Sequence, residues 1–181
     1  QTHQLMLFHG AQGKGKSTFI RHLLPPELKD YYRNGMIIPE NNNHLLQLSS
    51  CLLINLDEFD TLSPERMQNL KSLITQDVVN ERKVYDIQNY TYIRRASFIA
   101  STNNPHCMPD VKENRRILFS TLLNIDYHTP VNHEGIYAQA YALYRQGFQY
   151  WYENEEITFL NNRNEAFRQK DPIEENLFFY F

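Results

Sequence analysis

The sequence is short of cysteine, glycine and long apolar runs, and these shortages exclude several classes of protein. Its 181 residues include 2 cysteines and 6 glycines. Cys51 and Cys107 lie far apart and share no CxxC pattern, which disfavours both a disulfide framework and a thiolate metal site. No stretch approaches the roughly 20 apolar residues that a membrane-spanning helix needs. We therefore expect a cytoplasmic protein with reduced thiols and no membrane partner.

The sequence also lacks a large excess of charge of either sign. The chain carries 18 basic and 21 acidic residues, for a net charge of −3, and it has no long basic run. Bulk charge therefore does not indicate a polynucleotide partner, although local basic loops can still contact one. The length suits a single domain with a real core. Because the chain starts without Met, close to its first predicted strand, we expect it to be part of a longer protein.

Residues 10–18 read GAQGKGKST, a complete match to the phosphate-binding pattern GxxxxGK[ST]. A triphosphate requires several backbone N–H groups pointing inward at once, and glycines let the loop curl tightly enough to supply them. Lys16 is predicted to reach the β- and γ-phosphates, and the Ser17 hydroxyl to ligate Mg²⁺. The predicted ATP-binding residues are Gly10, Ala11, Gln12, Gly13, Lys14, Gly15, Lys16, Ser17 and Thr18.

The segments on either side of this loop support the same interpretation. Residues 5–9 are short and apolar, as expected for a buried strand of a parallel sheet. A helix is predicted from Thr18 to Leu24, and its N-terminal dipole favours the same anion. Strand, glycine loop and helix therefore occur in the order that a nucleotide site requires. A glycine-rich surface turn that matched the pattern by chance would not need these flanking elements.

Two adjacent acids follow the next strongly apolar segment, residues 51–56. Asp57 and Glu58 form the Walker B pattern, in which Asp57 is predicted to hold Mg²⁺ through water and Glu58 to polarise the attacking water. The chain between Ser17 and Asp57 leaves room for a helix and one further strand. A solvated acidic turn is the alternative, and the nearby Asp60 shows that acids are common here.

Asn103 follows a third apolar strand, predicted over residues 97–102. Residues at the carboxyl ends of strands line the ligand crevice of open α/β sheets, so Asn103 is predicted to contact the γ-phosphate or orient water, the role called sensor 1. A simple turn asparagine is the alternative, and both interpretations can hold together. Arg115 and Arg116 come next, and a guanidinium can serve as an arginine finger. The alternative is a solvated pair, or one that fixes a carboxylate.

Hydrophobic periodicity predicts the remaining elements. A helix is expected from Ser63 to about Asn80, because Ser63-Pro64-Glu65 is typical of a helix start. The other predicted elements are a helical turn at 27–32, a hairpin or extended connection at 84–95, a strand at 117–123 and helices at 133–152, 156–168 and 172–181. Together these elements predict an α/β, three-layer P-loop fold with a mostly parallel sheet. We expect the ATPase core to span residues 1–130 and a helical extension of the same domain to span 131–181.

Several stretches together resemble the virulence-associated protein E (VapE) family. They are LDEFD at 56–60, SFIASTN at 97–103, MPD at 108–110, NRRI at 114–117 and AQAYALY at 138–144. The phosphate loop alone is generic, whereas the ordered series of Thr-Asn, Asp and Asn-Arg-Arg is fairly specific. The resemblance extends over nearly the whole chain. It implies a branch of the superfamily 3-type and AAA+ helicase-like ATPases, often encoded on phages and mobile elements.

The resemblance also implies roles for residues and partners. Lys16 and Ser17 correspond to Walker A, Asp57 and Glu58 to Walker B, and Asn103 to sensor 1. One of the two arginines would act on the nucleotide of a neighbouring subunit, which implies a ring, usually a hexamer. Single-stranded or duplex DNA would thread the ring, and a primase-like domain is expected in the full-length protein. Candidate DNA contacts are Arg82, Lys83, Arg94 and Arg95, with Tyr85, Tyr90 and Tyr92 as stacking neighbours, although a solvated hairpin fits as well.

This chain departs from the family pattern where glycines are common. Ala100-Ser101 precede the Thr-Asn of the sensor strand, and Glu113 precedes Asn-Arg-Arg. Two further functions are also consistent with the sequence. A small P-loop kinase fits the length, although adjacent acids and Asn103 suit water activation better than acceptor binding. A nucleotide-dependent scaffold with little turnover is the third possibility, which the complete Walker residues disfavour.

Overall fold

Five parallel strands form the central sheet of the computed structural model, which describes residues 2–35, 42–57, 59–81, 88–108 and 114–169. These strands are β1 (Leu5–His9), β2 (Tyr32–Asn34), β3 (Leu53–Leu56), β6 (Ser97–Thr102) and β7 (Ile117–Thr121). A separate antiparallel pair consists of β4 (Val78–Glu81) and β5 (Tyr90–Ile93). The strands β1, β3 and β6 fall on the apolar runs that the sequence predicts.

The strand order is β2-β3-β6-β1-β7, which puts β1 between β6 and β7. Leu5 lies opposite Phe98 on β6, and His9 lies opposite Thr102. On the other side, His9 lies opposite Thr121 of β7. Because all these strands are parallel and in register, their carboxyl ends meet at one edge of the sheet. The predicted α/β fold with a mostly parallel sheet is confirmed.

Helices lie on both faces of the sheet, because alternate strand residues point to opposite sides. The helices are α1 (Lys16–Arg21), α2 (Asn42–Ser50), α3 (Pro64–Thr75), α4 (His133–Arg145) and α5 (Asn154–Glu165). Leu5 and Leu7 of β1 join the larger core with the buried side chains of α2 and α3. Phe8 points the other way and packs with Ile20 of α1 and Ile99 of β6.

The helix predicted from Ser63 to about Asn80 ends earlier, at Thr75. Its start is as predicted, since the Ser63 hydroxyl accepts from the backbone N–H of Arg66 at 3.3 Å. Beyond Thr75, Val78 and its neighbours form β4 instead, because β-branched residues pair well with β5 and Val79 is buried in the core. Helical periodicity therefore extends past the point where strand pairing takes over.

One other helix also differs from its prediction. The helix expected over residues 133–152 ends at Arg145, because Gly147 has a φ of 73° that a regular helix does not accept. The chain between Ser17 and Asp57 contains the short strand β2 and the helix α2, where the sequence leaves room for one helix and one strand. The helix predicted at 172–181 lies outside the described residues.

The two C-terminal helices attach to the sheet domain in different ways. The helix α4 has no buried residue, and its His133 Nε2 lies 2.7 Å from the carbonyl oxygen of His22, the residue that follows α1. The helix α5 is anchored more firmly, since Asn164 Nδ2 donates to the Ile117 carbonyl of β7 at 2.8 Å. Within the described ranges, no helix has the length and apolar character needed to cross a membrane.

Candidate functional site

The phosphate-loop residues connect β1 to α1 at the carboxyl edge of the sheet. Gly10 donates its N–H to the Thr102 carbonyl of β6 at 3.3 Å, which fixes the start of the loop. Gly13 and Gly15 have φ values of 76° and 82°, in the left-handed region that favours glycine. The Gly15 carbonyl then accepts from Phe19 N–H at 2.8 Å and begins the helix. The glycines therefore allow the curled loop that the sequence predicts.

Lys16 lies at the centre of this loop, with its side chain nearly buried. Its ammonium group donates to the carbonyls of Gly10 at 2.6 Å and Ala11 at 3.0 Å. It also donates to Oδ1 of Asn103 at 2.7 Å. An ammonium has three N–H donors, so all three are engaged. An incoming phosphate oxygen must therefore replace at least one of these partners, and Asn103 is the side chain among them.

Asp57 follows β3 and lies beside the loop. Its Oδ1 accepts from the Ser17 hydroxyl at 2.9 Å and from the Ser101 hydroxyl at 2.6 Å. Its Oδ2 accepts from Asn34 Nδ2 at 3.3 Å, and Asn34 in turn accepts from Asn55 at 2.9 Å. The carboxylate is thus held from three sides. The structure thus brings together Ser17 and Asp57, the two residues that the sequence predicts to hold Mg²⁺.

The electrostatics of the two charged groups suit a cation and a polyphosphate. Burial alone would raise the pKa of Asp57, but hydrogen bonds from Ser101 and Ser17, among others, outweigh it and lower that pKa below its ordinary value. Burial lowers the pKa of Lys16, and the charges of Asp57 and Asp60 oppose this without cancelling it. Asp57 is therefore ionised at neutral pH, and a bound anion would relieve the desolvation of the Lys16 ammonium.

A second acid holds the turn that carries Asn103. The Thr102 hydroxyl donates to Oδ1 of Asp60 at 2.9 Å and accepts from the N–H of Asn104 at 3.0 Å. Oδ1 of Asn104 accepts from the N–H of His106 at 2.9 Å. The side chain of Asn103, between these fixed residues, is exposed towards the loop. Asn103 is therefore both a turn residue and a neighbour of the phosphate loop, as the sequence allows.

These groups line one cleft of about 430 Å³. Its walls are Gln12, Gly13, Lys14, Gly15, Lys16, Ser17, Thr18, Asp57, Ser101, Thr102, Asn103 and Tyr127. Two further clefts, of about 490 and 660 Å³, lie at the opposite edge of the sheet near residues 148–152. They lack the convergence of backbone loop, lysine and carboxylate found in the smaller cleft, so the smaller one is the candidate nucleotide site.

The arginines predicted as fingers lie at the other end of the sheet. Arg115 and Arg116 belong to a 3₁₀ turn immediately before β7, whereas the phosphate loop follows the opposite end of the parallel strand β1. A strand of this length separates them by about 16 Å. Within one chain these arginines do not reach the loop, so a finger role requires a neighbouring subunit. Glu58, the predicted base, lies outside the described residues.

Only some of the predicted DNA-contact residues lie in the described part of the chain. Arg82, Lys83 and Tyr85 lie outside the described residues. Arg95 is exposed beside β5, as a contact residue must be. Arg94 is 1% exposed and donates to three backbone carbonyls, so the prediction that it contacts DNA is wrong. Its guanidinium is committed to holding the fold together.

Sequence reasoning missed four residues of the site: Asn34, Asp60, Ser101 and Tyr127. Each acts through a partner far away in sequence; Ser101 and Asp57, for example, are 44 positions apart. A signal existed for Ser101, because it lies on a predicted strand near the carboxyl end that carries Asn103. The departure from the glycine common in the family marks the same position. No sequence pattern indicates Tyr127, since it lies in a loop without a motif.

A family model described as the virulence-associated protein E-like domain matches residues 1–169. No curated protein sequence matches the chain. Among solved structures, an apo structure of the NrS-1 C-terminal region (305–718) is 18% identical, with a TM-score of 0.48, and the match covers 92% of this chain and 35% of that one. A second apo structure of that region is 18% identical, with a TM-score of 0.49 and coverage of 91% and 36%. The chain thus spans about a third of the length of these structures.

Proposed function

This chain belongs to the virulence-associated protein E-like family, and from that premise we propose that it is an ATP-hydrolysing P-loop motor domain. We propose further that it is the helicase-like part of a primase-helicase replication protein of a phage or mobile element. The observation that carries the proposal is the convergence of three strand ends on one cleft. Lys16 after β1 contacts Asn103 after β6 at 2.7 Å, while Ser17 contacts Asp57 after β3 at 2.9 Å.

The residues of the cleft fit MgATP. The loop from Gly10 to Thr18 would hold the phosphates through its backbone N–H groups and the Lys16 ammonium. Ser17 and Asp57 supply a hydroxyl and an ionised carboxylate, the oxygen ligands that Mg²⁺ prefers. When bound, the metal would neutralise charge on the phosphate oxygens.

The contact between Lys16 and Asn103 gives a reason for a sensor role. The side-chain carbonyl oxygen of Asn103 accepts a hydrogen bond from Lys16. The amide N–H groups of Asn103 can therefore donate to a phosphate oxygen or to water. A phosphate that draws the ammonium of Lys16 away also frees the Asn103 side chain to turn. The state of the terminal phosphate is therefore linked to the conformation of the turn after β6, which Thr102 and Asp60 hold.

Hydrolysis needs two further groups in this proposal. Glu58, next in sequence to Asp57, is the proposed base for the attacking water. Arg115 or Arg116 is the proposed finger, supplied to the cleft by a neighbouring subunit in a ring. Their position at the far edge of the sheet supports this arrangement. DNA would be the substrate of the assembled ring, and a primase-like domain its covalent partner.

Steady-state hydrolysis tests the proposal directly. ATP turnover would be measured against protein concentration, with and without single-stranded DNA, for the wild type and for Lys16→Ala and Glu58→Gln. A motor with shared sites predicts a specific activity that rises with concentration or DNA and is abolished by both substitutions. Flat, negligible turnover despite ATP binding would contradict the motor and favour a scaffold. Turnover that needs a phosphate acceptor other than water would favour a kinase.

A further inference from the structure

Tyr127 forms one wall of the nucleotide cleft, at the position where the phosphate loop is most tightly packed. A Cβ added to Gly15 would collide with the Tyr127 ring, so the ring lies in contact with the backbone of the loop. The ring also packs against His128, with centroids 4.2 Å apart and planes tilted by 37°. Tyr127 is half-buried and lines the cleft, while the exposed His128 packs beside it, so the Tyr127 ring is the aromatic surface that the cleft presents.

The sheet order shows which end of a nucleotide this surface would meet. Asp57 and Asn103 follow β3 and β6, on one side of β1, and they mark the metal and the terminal phosphate. Tyr127 follows β7, on the other side of β1. A triphosphate that lies along the loop with its γ-phosphate at Lys16 and Asp57 therefore points its nucleoside towards Tyr127.

The segment that carries the ring is held at both ends. The Asp126 carboxylate accepts from the backbone N–H groups of His128 at 3.1 Å and Thr129 at 3.0 Å, and from the Thr129 hydroxyl at 2.6 Å. Asn132 then caps α4 by accepting from Gly135 N–H at 3.0 Å. The aromatic pair is thus presented on a preformed turn. Asp126 itself is engaged in this turn and is not among the residues that line the cleft, whereas the Tyr127 ring is.

We propose that Tyr127, backed by His128, is the platform on which the base of the bound nucleoside triphosphate stacks, and that the site selects nucleotides by stacking rather than by reading the edge of the base. This inference rests on the proposed nucleotide site. Every base has a π-face, so stacking tolerates different bases. The expected ligand class is therefore nucleoside triphosphates in general, with a modest preference for the larger purine ring.

Calorimetric titrations with MgATP, MgCTP and inorganic tripolyphosphate test this assignment. The proteins are the wild type, Tyr127→Leu, Tyr127→Phe and, as a matched control, Tyr141→Leu at an exposed position on α4. Tyr127→Leu should weaken ATP binding about 5- to 100-fold while leaving tripolyphosphate affinity within about twofold. Tyr127→Phe and the control should bind ATP like the wild type, and wild-type affinities for ATP and CTP should differ by less than about tenfold.

Two results would overturn the platform and leave the nucleotide site intact. One is an unchanged ATP affinity in Tyr127→Leu. The other is an equal loss of ATP and tripolyphosphate binding, which would mean that the ring only supports the loop around Gly15. If the wild type binds none of these ligands, or if Lys16→Ala binds ATP as tightly as the wild type, the proposed nucleotide site itself is wrong, and the platform with it.

Discussion

Ser101→Ala removes a hydroxyl that donates to Oδ1 of Asp57 at 2.6 Å. The same oxygen accepts from Ser17 at 2.9 Å, but a bound Mg²⁺ would take the Ser17 hydroxyl as a ligand. Ser101 is then the donor that continues to orient Oδ1, while Asn34 holds Oδ2 at 3.3 Å. The substitution should therefore reduce the gain in ATP affinity that Mg²⁺ provides more than it reduces the affinity for ATP without the metal.

The size of the effect follows from the nature of this contact. A hydrogen bond to a charged group contributes about 1.5–3 kcal/mol, and each 1.4 kcal/mol corresponds to a factor of about ten in affinity. Loss of a partner that orients a metal ligand costs about 10- to 100-fold in metal affinity or activity. We therefore expect the Mg²⁺-dependent gain in ATP affinity to fall by at least about tenfold in Ser101→Ala.

ATP affinity would be measured with saturating Mg²⁺ and again in EDTA. The ratio of the two affinities reports the contribution of the metal, and the EDTA value, expected to stay within about twofold, is the internal control. Ser97→Ala serves as the matched variant, since Ser97 is exposed at the other end of the same strand. An unchanged ratio in Ser101→Ala, or an equal fall in Ser97→Ala, would refute the role given to Ser101.

Three further outcomes are expected. Asn103→Ala should lower the turnover number about 10²- to 10³-fold while ATP affinity stays within a few-fold, and an equal loss of both would remove its sensor role. Lys16→Ala and Arg115→Ala should each be inactive alone, yet an equal mixture should regain about a quarter of wild-type activity. About a quarter of the interfaces then combine an intact Lys16 from one subunit with an intact Arg115 from its neighbour. An inactive mixture would argue against shared sites or against Arg115 as the finger. Burial raises the pKa of the Cys107 thiol to about 11, so at pH 8 the thiolate is scarce and the folded protein should react slowly with a thiol reagent. Rapid labelling of Cys107 without unfolding would contradict its burial.

The sequence predicts those parts of the fold and site that depend on local pattern. The phosphate loop from Gly10 to Thr18 is encoded by contiguous residues with fixed spacing, and strands such as β6 stand out as short apolar runs. Asp57 and Asn103 are candidate site residues because they follow those runs. By contrast, the end of α3 depends on strand pairing between Val79 and Tyr92, which no local pattern states.

The site residues that sequence patterns do not reveal were missed for one physical reason. Ser101, Asn34 and Tyr127 matter through contacts that exist only after distant strands and loops come together. Arg94 shows the same effect in reverse. Its sequence neighbours suggest an exposed basic contact, whereas its donors meet carbonyls of Gln76, Ala96 and Thr2 inside the fold. Composition identifies such residues as polar, and only the fold decides what they bind.

The central claim is that Lys16 holds the phosphates of a nucleotide in the cleft at the carboxyl edge of the sheet. Calorimetric titration of MgATP into the wild type, Lys16→Ala and Lys29→Ala tests it most directly, with an exposed lysine as the matched control. Lys16→Ala should weaken binding by at least about tenfold, as expected for a lost charge-assisted contact, while Lys29→Ala should bind like the wild type. Equal binding by the folded wild type and Lys16→Ala, or no binding by either, would contradict it.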